Sequence, residues 1–223
     1  MRKTDLIIFC FCCLSSWLNA AVSSFSFSSL KLESGLSQLS VLKIHQDKSG
    51  IMWFATRNGL NRYDGNSFVV YKHSNGDSLS LSSNHITALA EDDRGNLWVG
   101  TMNGLNRLDL TTNRITSYND ISVYAQSPLR GIWISSLYVD KQKRFWVGTN
   151  KGLFLYDYAD GSFIPIDLNG KLPKDQIMVI SEDRNENLLI GTNGNGLYIC
   201  DSEQNFLSHY FKNTTPSSLT DNN

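Results

Sequence analysis

The amino-acid sequence predicts an all-β fold made of repeated small sheets, and three observations support this prediction. One pattern recurs four times along the 223-residue chain. Its copies contain short apolar runs separated by Gly and Asn, which favours strands joined by tight turns. The equivalent residues Trp53, Trp98, Trp146 and Leu189 lie 45, 48 and 43 residues apart. A period of that length is typical of blade-like β-repeats.

The four copies are read directly from the sequence. They are DKSGIMWFATRNGLNRYD (Asp47–Asp64), DRGNLWVGTMNGLNRLD (Asp93–Asp109), DKQKRFWVGTNKGLFLYD (Asp140–Asp157) and DRNENLLIGTNGNGLYICD (Asp183–Asp201). In the first copy and its flanks we expect strands at 41–46, 51–56, 60–63 and 67–71. The strands are apolar on both faces, which indicates that each sheet is covered on two sides. Four-stranded units of this kind arranged around an axis form a β-propeller. A β-sandwich of unrelated hairpins would not explain the recurrence.

The turns carry the second part of the pattern. Asn58-Gly59, repeated as Asn103-Gly104 and Asn195-Gly196, predicts a two-residue hairpin turn with positive φ at both positions. The first turn of each copy ends on Gly50 or Gly95, but the third and fourth copies have Lys143 and Glu186 there. The residues predicted to be structural in every blade are Trp53, Trp98, Trp146, Gly59, Gly104, Gly152 and Gly196.

The first residues differ from the rest of the chain. Arg2 and Lys3 precede the 13-residue apolar run Leu6–Leu18, followed by Ala20 and Ala21. This layout predicts a signal peptide over residues 1–21. The run is shorter than the roughly 20 residues of a membrane span, so cleavage is favoured over a retained anchor, and a lipoprotein signal is a further alternative. Three of the four cysteines lie in this leader.

The remainder, residues 22–223, is predicted to be part of a propeller. Its blades are expected at about 41–71, 86–118, 132–166 and 177–210. The segment 25–30 would be a closing strand, and 211–223 would lead into a missing blade, because SSLTDNN aligns with LSLSSNH before the second blade. We therefore expect an incomplete arc; a complete four-bladed ring is the alternative. Cys200 is predicted to be a buried structural thiol.

Charge and motifs exclude several functions. With 20 Lys+Arg against 21 Asp+Glu, the chain lacks the basic excess of a nucleic-acid-binding protein. The repeated aspartates are best explained as turn caps, so no carboxylate pair is nominated for glycoside cleavage. His45, His73, His85 and His209 show no metal-ligand spacing and are expected at surfaces or edges. We expect no catalytic residue, no metal and no cofactor.

Binding is the function left for the loops of one propeller face. In a propeller the turns between second and third strands emerge beside the links to the next blade, and such loops on a rigid scaffold are common recognition sites. The candidate ligand-binding residues are Arg57, Asn58, Met102, Asn103, Asn150, Lys151, Asn193 and Asn195. The repeated Asn61-Arg62 and Asn106-Arg107 pairs could bind an anion or could join strands and blades.

The motif DxxGxxWxxTxxGLNRYD, the lead-in GLSQLSV (Gly35–Val41) and the linker SLSLSSNHITAL (Ser78–Leu89) resemble the two-component regulator propeller family. The third copy departs by losing its Asn-Arg pair, and the fourth loses its Trp. The resemblance implies the N-terminal part of a seven-bladed sensor propeller at the periplasmic face of the inner membrane.

In such proteins a membrane helix and a histidine kinase or diguanylate cyclase module follow, and neither is in this sequence. The resemblance also implies an oligosaccharide or other small ligand, and we expect signalling through a homodimer. The alternative function is a secreted propeller enzyme acting on polysaccharide.

Overall fold

The computed structural model describes residues 29–119, 126–213 and 218–221. The predicted leader and residues 25–28 of the predicted closing strand lie outside these ranges, and Ser29 and Leu30 are not in a strand. All described strands belong to one compact unit, Lys31–Asn223. No described helix is long and apolar enough to cross a membrane.

The described residues form sixteen strands and a short 3-10 helix, Leu32–Ser34, in four antiparallel sheets. The first sheet contains β1 Val41–Gln46, β2 Met52–Thr56, β3 Gly59–Tyr63 and β4 Phe68–Tyr71. The second contains β5 Ile86–Glu91, β6 Asn96–Thr101, β7 Gly104–Asp109 and β8 Ile115–Ser117. The third contains β9 Ile134–Val139, β10 Phe145–Thr149, β11 Gly152–Tyr156 and β12 Phe163–Ile166. The fourth contains β13 Ile177–Glu182, β14 Leu188–Thr192, β15 Leu197–Cys200 and β16 Phe206–Tyr210.

Each sheet is a propeller blade. Its four strands pair in sequence order, and the first strands β1, β5, β9 and β13 contact one another from blade to blade. The first strands are therefore innermost, as radial packing of blades requires. The prediction of an all-β propeller fold with four-stranded blades is confirmed.

The hairpin turn between the second and third strands differs from the prediction. Thr56 pairs with Gly59 and Thr101 with Gly104, so the two turn residues of the first blade are Arg57 and Asn58. Gly59 and Gly104 have φ of 120° and 99°, whereas Asn58 and Asn103 are not among the described residues with positive φ. The prediction of two positive φ values was wrong, because the glycine follows the two-residue turn as the first residue of the next strand. A Cβ on Gly59 would lie 2.7 Å from the Tyr71 carbonyl oxygen.

The aspartate that opens each first turn joins that turn to the blade core. Asp47 Oδ1 accepts hydrogen bonds from the backbone N–H groups of Ser49 and Ile51 at 3.0 Å each. Its Oδ2 accepts a bond from Trp53 Nε1 at 2.8 Å. The same 2.8 Å bond joins Trp98 to Asp92 and Trp146 to Asp140, and these three tryptophans are buried.

Neighbouring blades approach closely where the second strand has a glycine. A Cβ on Gly100 would lie 2.7 Å from Ile134 Cγ2 of the third blade. A Cβ on Gly148 would lie 2.8 Å from Ile177 Cγ2 of the fourth blade. Glycine therefore admits the first residue of the next inner strand into the sheet-to-sheet contact.

The first and fourth blades each expose apolar residues on the sheet face that points away from the other three blades. Ile44 of β1 is 61% exposed, although its equivalent in the third blade, Leu137, is 9% exposed. Val179 of β13 is 54% exposed, although its equivalent in the second blade, Ala88, is 2% exposed. In the second and third blades, a neighbouring blade covers the corresponding faces.

Candidate ligand-binding face

The turns between second and third strands lie beside the links that lead into the next blade. The Gly59 N–H donates to the Asn84 carbonyl at 2.8 Å, and the Gly104 N–H donates to the Ile132 carbonyl at 2.7 Å. We call the surface formed by these turns and links the top face. All eight candidate ligand-binding residues lie in its turns, and all eight are exposed.

Four of the candidate residues are asparagines that hold the loops in place. Asn58 Nδ2 donates to the Ser37 carbonyl at 3.1 Å, and Asn103 Nδ2 donates to the Ser82 carbonyl at 3.4 Å. In the fourth blade, Asn193 Nδ2 donates to Gln176 Oε1 at 3.1 Å. Asn195 Nδ2 donates to Asp175 Oδ2. These amide groups are already engaged within the protein, which reduces what they can offer a ligand.

The first turn residue of each blade sits next to the start of the innermost strand. The N–H groups of Met102, Asn150 and Asn193 donate to the carbonyls of His85, Trp133 and Gln176, respectively, at 3.1, 3.1 and 2.9 Å. These pairs lie where the central channel of a propeller opens. Their side chains vary from blade to blade, so the channel mouth is chemically irregular.

Trp133 and Gln176 were missed by the sequence analysis. The available signal was the position of Trp133, which lies between two copies of the repeat and not at the repeated Trp position. Trp133 is half-buried, and its Nε1 has no hydrogen-bond partner among the described residues.

The electrostatics of the channel mouth involve His85 and Arg57. Burial lowers the pKa of His85 below its usual value, and the positive charge of Arg57 lowers it further. His85 is therefore neutral at pH 7, and Arg57 supplies the positive charge of this part of the top face.

In each Asn-Arg pair of β3 and β7, the asparagine is structural and the arginine is partly exposed. Asn61 and Asn106 are fully buried. Their Oδ1 atoms accept hydrogen bonds from the N–H groups of Ser37 and Ser82 at 2.8 and 2.9 Å. Each buried asparagine thus anchors the segment that leads into its own blade, and it does not face a ligand.

A polar trough crosses the top face of the second blade. One cavity of about 360 Å³ is lined by the link between the first two blades and by Asn103, Ser117 and Asn119. A second cavity of about 460 Å³ is lined by Asn103, Asn119, Ser127, Arg130 and Gly131. The two cavities share Asn103 and Asn119 in their linings, so they lie side by side, and we call them together the trough.

The side-chain amide of Asn119 holds two segments of the trough wall together. Asn119 Nδ2 donates to the Asn103 carbonyl at 2.7 Å, and Asn119 Oδ1 accepts the Gly131 N–H at 2.8 Å. A Cβ on Gly104 would clash with Asn119 Oδ1, so the amide keeps this position because residue 104 is glycine. Of the candidate residues, the structure brings Asn103 into the trough and leaves the other seven outside its lining.

The described residues show little sign of metal or thiol chemistry. Within them no group of three or more His, Cys, Asp or Glu side chains could hold a metal ion. Cys200 is buried, as predicted, and burial raises the pKa of its thiol to about 11. The thiol is therefore protonated at neutral pH.

Comparison with known proteins matches the top-face segments to one family. The family model described as two component regulator propeller matches residues 35–58, 80–103 and 128–151. Each match runs from the lead-in through the innermost strand and first turn to the second turn. The first three blades thus contain segments similar to the repeats of that family. The family resemblance of the sequence is thereby confirmed.

A curated relative of this chain is a kinase. The chain is 45% identical over 78 residues to Histidine kinase P4 from Formosa agariphila, covering 35% of this chain and 6% of that protein. The chain thus corresponds to a small part of that relative.

Solved structures are similar to this chain to different degrees. Virginiamycin B lyase from Staphylococcus aureus matches with a TM-score of 0.58 and 18% identity, over 79% of this chain and 56% of that chain. A chain described as the extracellular domain of a hybrid two component system from B. thetaiotaomicron matches with a TM-score of 0.43 and 24% identity, over 87% of this chain and 38% of that chain. At this level of identity the lyase match supports the fold alone.

Proposed function

We propose that this chain is the ligand-sensing propeller portion of an exported, membrane-bound signal transduction protein. The observation that carries the proposal is the coincidence of the three family matches with the segments that build the top face. The identity to Histidine kinase P4 favours a kinase as the output module. In this proposal the repeats bind a ligand, and any catalysis belongs to other domains.

The blades provide a rigid scaffold on which binding loops can vary. The buried Asp-Trp bonds and the Asn61 and Asn106 anchors hold the loops at fixed positions. Arg57, Met102 and Lys151 differ between copies and are exposed. A ligand that contacts such residues would shift the signalling equilibrium only by its different affinities for the two states of the receptor.

The test uses the full-length protein in membrane vesicles. Candidate oligosaccharides are added, and both saturable binding and output activity, such as autophosphorylation, are measured. We expect at least one ligand to bind and to change the output, and the substitution of Arg57, Met102 and Lys151 together by Ala to weaken that response.

Two outcomes would contradict the proposal. Release of shortened glycans by the propeller would identify an enzyme acting on polysaccharide instead of a sensor. If the output activity responds equally well to the ligand after the propeller is removed, the sensing site lies elsewhere in the protein.

A further inference from the structure

Arg130 occupies a position that is structural in the first two blades. There the equivalent residues are Ser37 and Ser82, whose N–H groups bind the buried Asn61 and Asn106. In the third blade Phe154 replaces the asparagine, so the serine-asparagine anchor is absent. The apolar residue that precedes this position is kept, since Leu129 is buried like Leu81. Arg130 is therefore a departure from the repeat that the fold does not require.

The side chain of Arg130 is exposed and lines the trough. Across residues 29–119, 126–213 and 218–221, it makes no ion pair or side-chain hydrogen bond. Other arginines are used differently: Arg144 Nε donates to Asp140 Oδ2 at 2.6 Å, and Arg94 lies over the Tyr158 ring at 4.0 Å. Arg130 is thus a guanidinium available to an outside partner.

The rest of the trough supplies uncharged polar groups. Its lining contains the hydroxyls of Ser74, Ser78, Ser117 and Ser127, whereas the lining residues Ser80 and Ser82 use their hydroxyls within the protein. The amides of Asn103 and Asn119 lie between the two cavities. Arg130 is the one Lys or Arg side chain among the lining residues that the structure describes. A planar guanidinium matches a carboxylate in bidentate geometry, and hydroxyl groups match the hydroxyls of a polyol.

His73 and Asp77 line the end of the trough away from Arg130. The two ring nitrogens of His73 are 2.7 Å from the Leu81 carbonyl and 2.9 Å from Asn75 Oδ1, and Asp77 Oδ1 accepts the Leu79 N–H. Asp77 would repel a second negative charge at this end. The lining therefore favours a ligand with one anionic group at the Arg130 end and hydroxyl groups along the rest.

We propose that the trough binds a small polyhydroxylated carboxylate of the sugar-acid type, whose carboxylate is held by Arg130. This inference rests on the proposed ligand-sensing function, and it places the recognition site on the top face of the second blade.

The experiment measures binding of galacturonate, of the neutral sugar galactose, and of inorganic phosphate to the full-length protein by calorimetry. Arg130→Ser restores the residue of the first two blades, so it should fold normally, which thermal unfolding checks. Arg130→Lys keeps the charge without the bidentate geometry. Arg184→Ser is the matched control, because it removes an exposed arginine from the first turn of the fourth blade, and that turn does not line the trough.

We expect galacturonate to bind and galactose to bind at least tenfold more weakly. Arg130→Ser should weaken galacturonate binding at least tenfold, Arg130→Lys should weaken it less, and Arg184→Ser should leave it unchanged. Salt should weaken galacturonate binding, because the guanidinium is exposed.

Three results would overturn the inference: no galacturonate binding, equal affinities for galacturonate and galactose, or unchanged galacturonate binding in Arg130→Ser. Phosphate binding as tight as that of galacturonate would also do so, since it would show an unspecific anion site. If another ligand still binds the top face and changes output, the sensing proposal survives the loss of the trough proposal. If no ligand affects output, the sensing proposal fails instead.

Discussion

The aspartate at the start of the first turn has two roles in a single side chain. One carboxylate oxygen caps the turn, and the other accepts the buried indole N–H of the tryptophan six residues later. In the second blade Asp92 also accepts a bond from Tyr158 of the third blade at 3.3 Å, and Arg94 stacks on that tyrosine. The residue therefore joins turn, core and neighbouring blade, whereas its sequence position indicated only the turn.

The Asp92→Ala substitution should lower the free energy of unfolding by about 3 kcal/mol, because it leaves the Trp98 N–H buried without an acceptor. Asp64→Ala is the control. Asp64 caps the N–H groups of Asn66 and Ser67 at an exposed turn, so its loss should be much smaller. Chemical denaturation of the purified protein measures both. Equal effects would show that the bond to tryptophan contributes little.

At the scale of the element, the first turn of each blade keeps the same left-handed backbone conformation even where its glycine is replaced. Gly50 and Gly95 have φ of 90° and 80°, and Lys143 and Glu186 have φ of 67° and 64° at the same position. Side-chain-bearing residues are disfavoured in this left-handed region. The aspartate caps and flanking strands of the third and fourth blades therefore hold the turn in a shape that the local sequence does not favour.

The Glu186→Gly substitution should raise the free energy of unfolding by roughly 0.5–1 kcal/mol by relieving the left-handed conformation. The converse change, Gly95→Ala, should lower it by about 1 kcal/mol. The space around Gly95 is open, since a Cβ there would meet no atom within 4 Å, so the effect would be conformational and not steric. Thermal unfolding of both variants tests the pair. Destabilisation by Glu186→Gly would contradict the argument.

At the scale of the molecule, the blades are complete individually but the first and fourth leave apolar faces open. Ile44 is exposed on one face, and Met178 and Val179 are exposed on the other. Repeat units of this kind bury their faces only by stacking against neighbours. Exposed apolar faces of this sort promote association.

Residues 22–223 produced alone should therefore associate or aggregate, and Ile44→Lys combined with Val179→Lys should increase the monomeric fraction. Met102→Lys is the control, because Met102 is also an exposed apolar residue (41%) but lies on the top face. Light scattering after size-exclusion chromatography measures the mass. A monomeric wild-type fragment that unfolds cooperatively would contradict this prediction.

The fold was largely predictable because each blade is specified locally. The strands, their order within a sheet and the repeat period depend on apolar patterning and on turns within about 30 residues of chain, which the sequence displays directly. The Asn-Gly turn was misjudged because its pairing register depends on the strands on either side. The ligand role of the eight candidate residues stays a prediction, although the structure places all of them on the top face.

By itself, the sequence determined the strand composition of the repeat, the family resemblance and the positions where the copies differ. Only the tertiary structure decided which of those differences matter. It buried Asn61 and Asn106, brought Trp133 to the channel mouth, and joined Asn103 to Arg130 in a trough. These outcomes depend on links of different blades meeting in space, and a local pattern of 45 residues carries no direct record of such contacts.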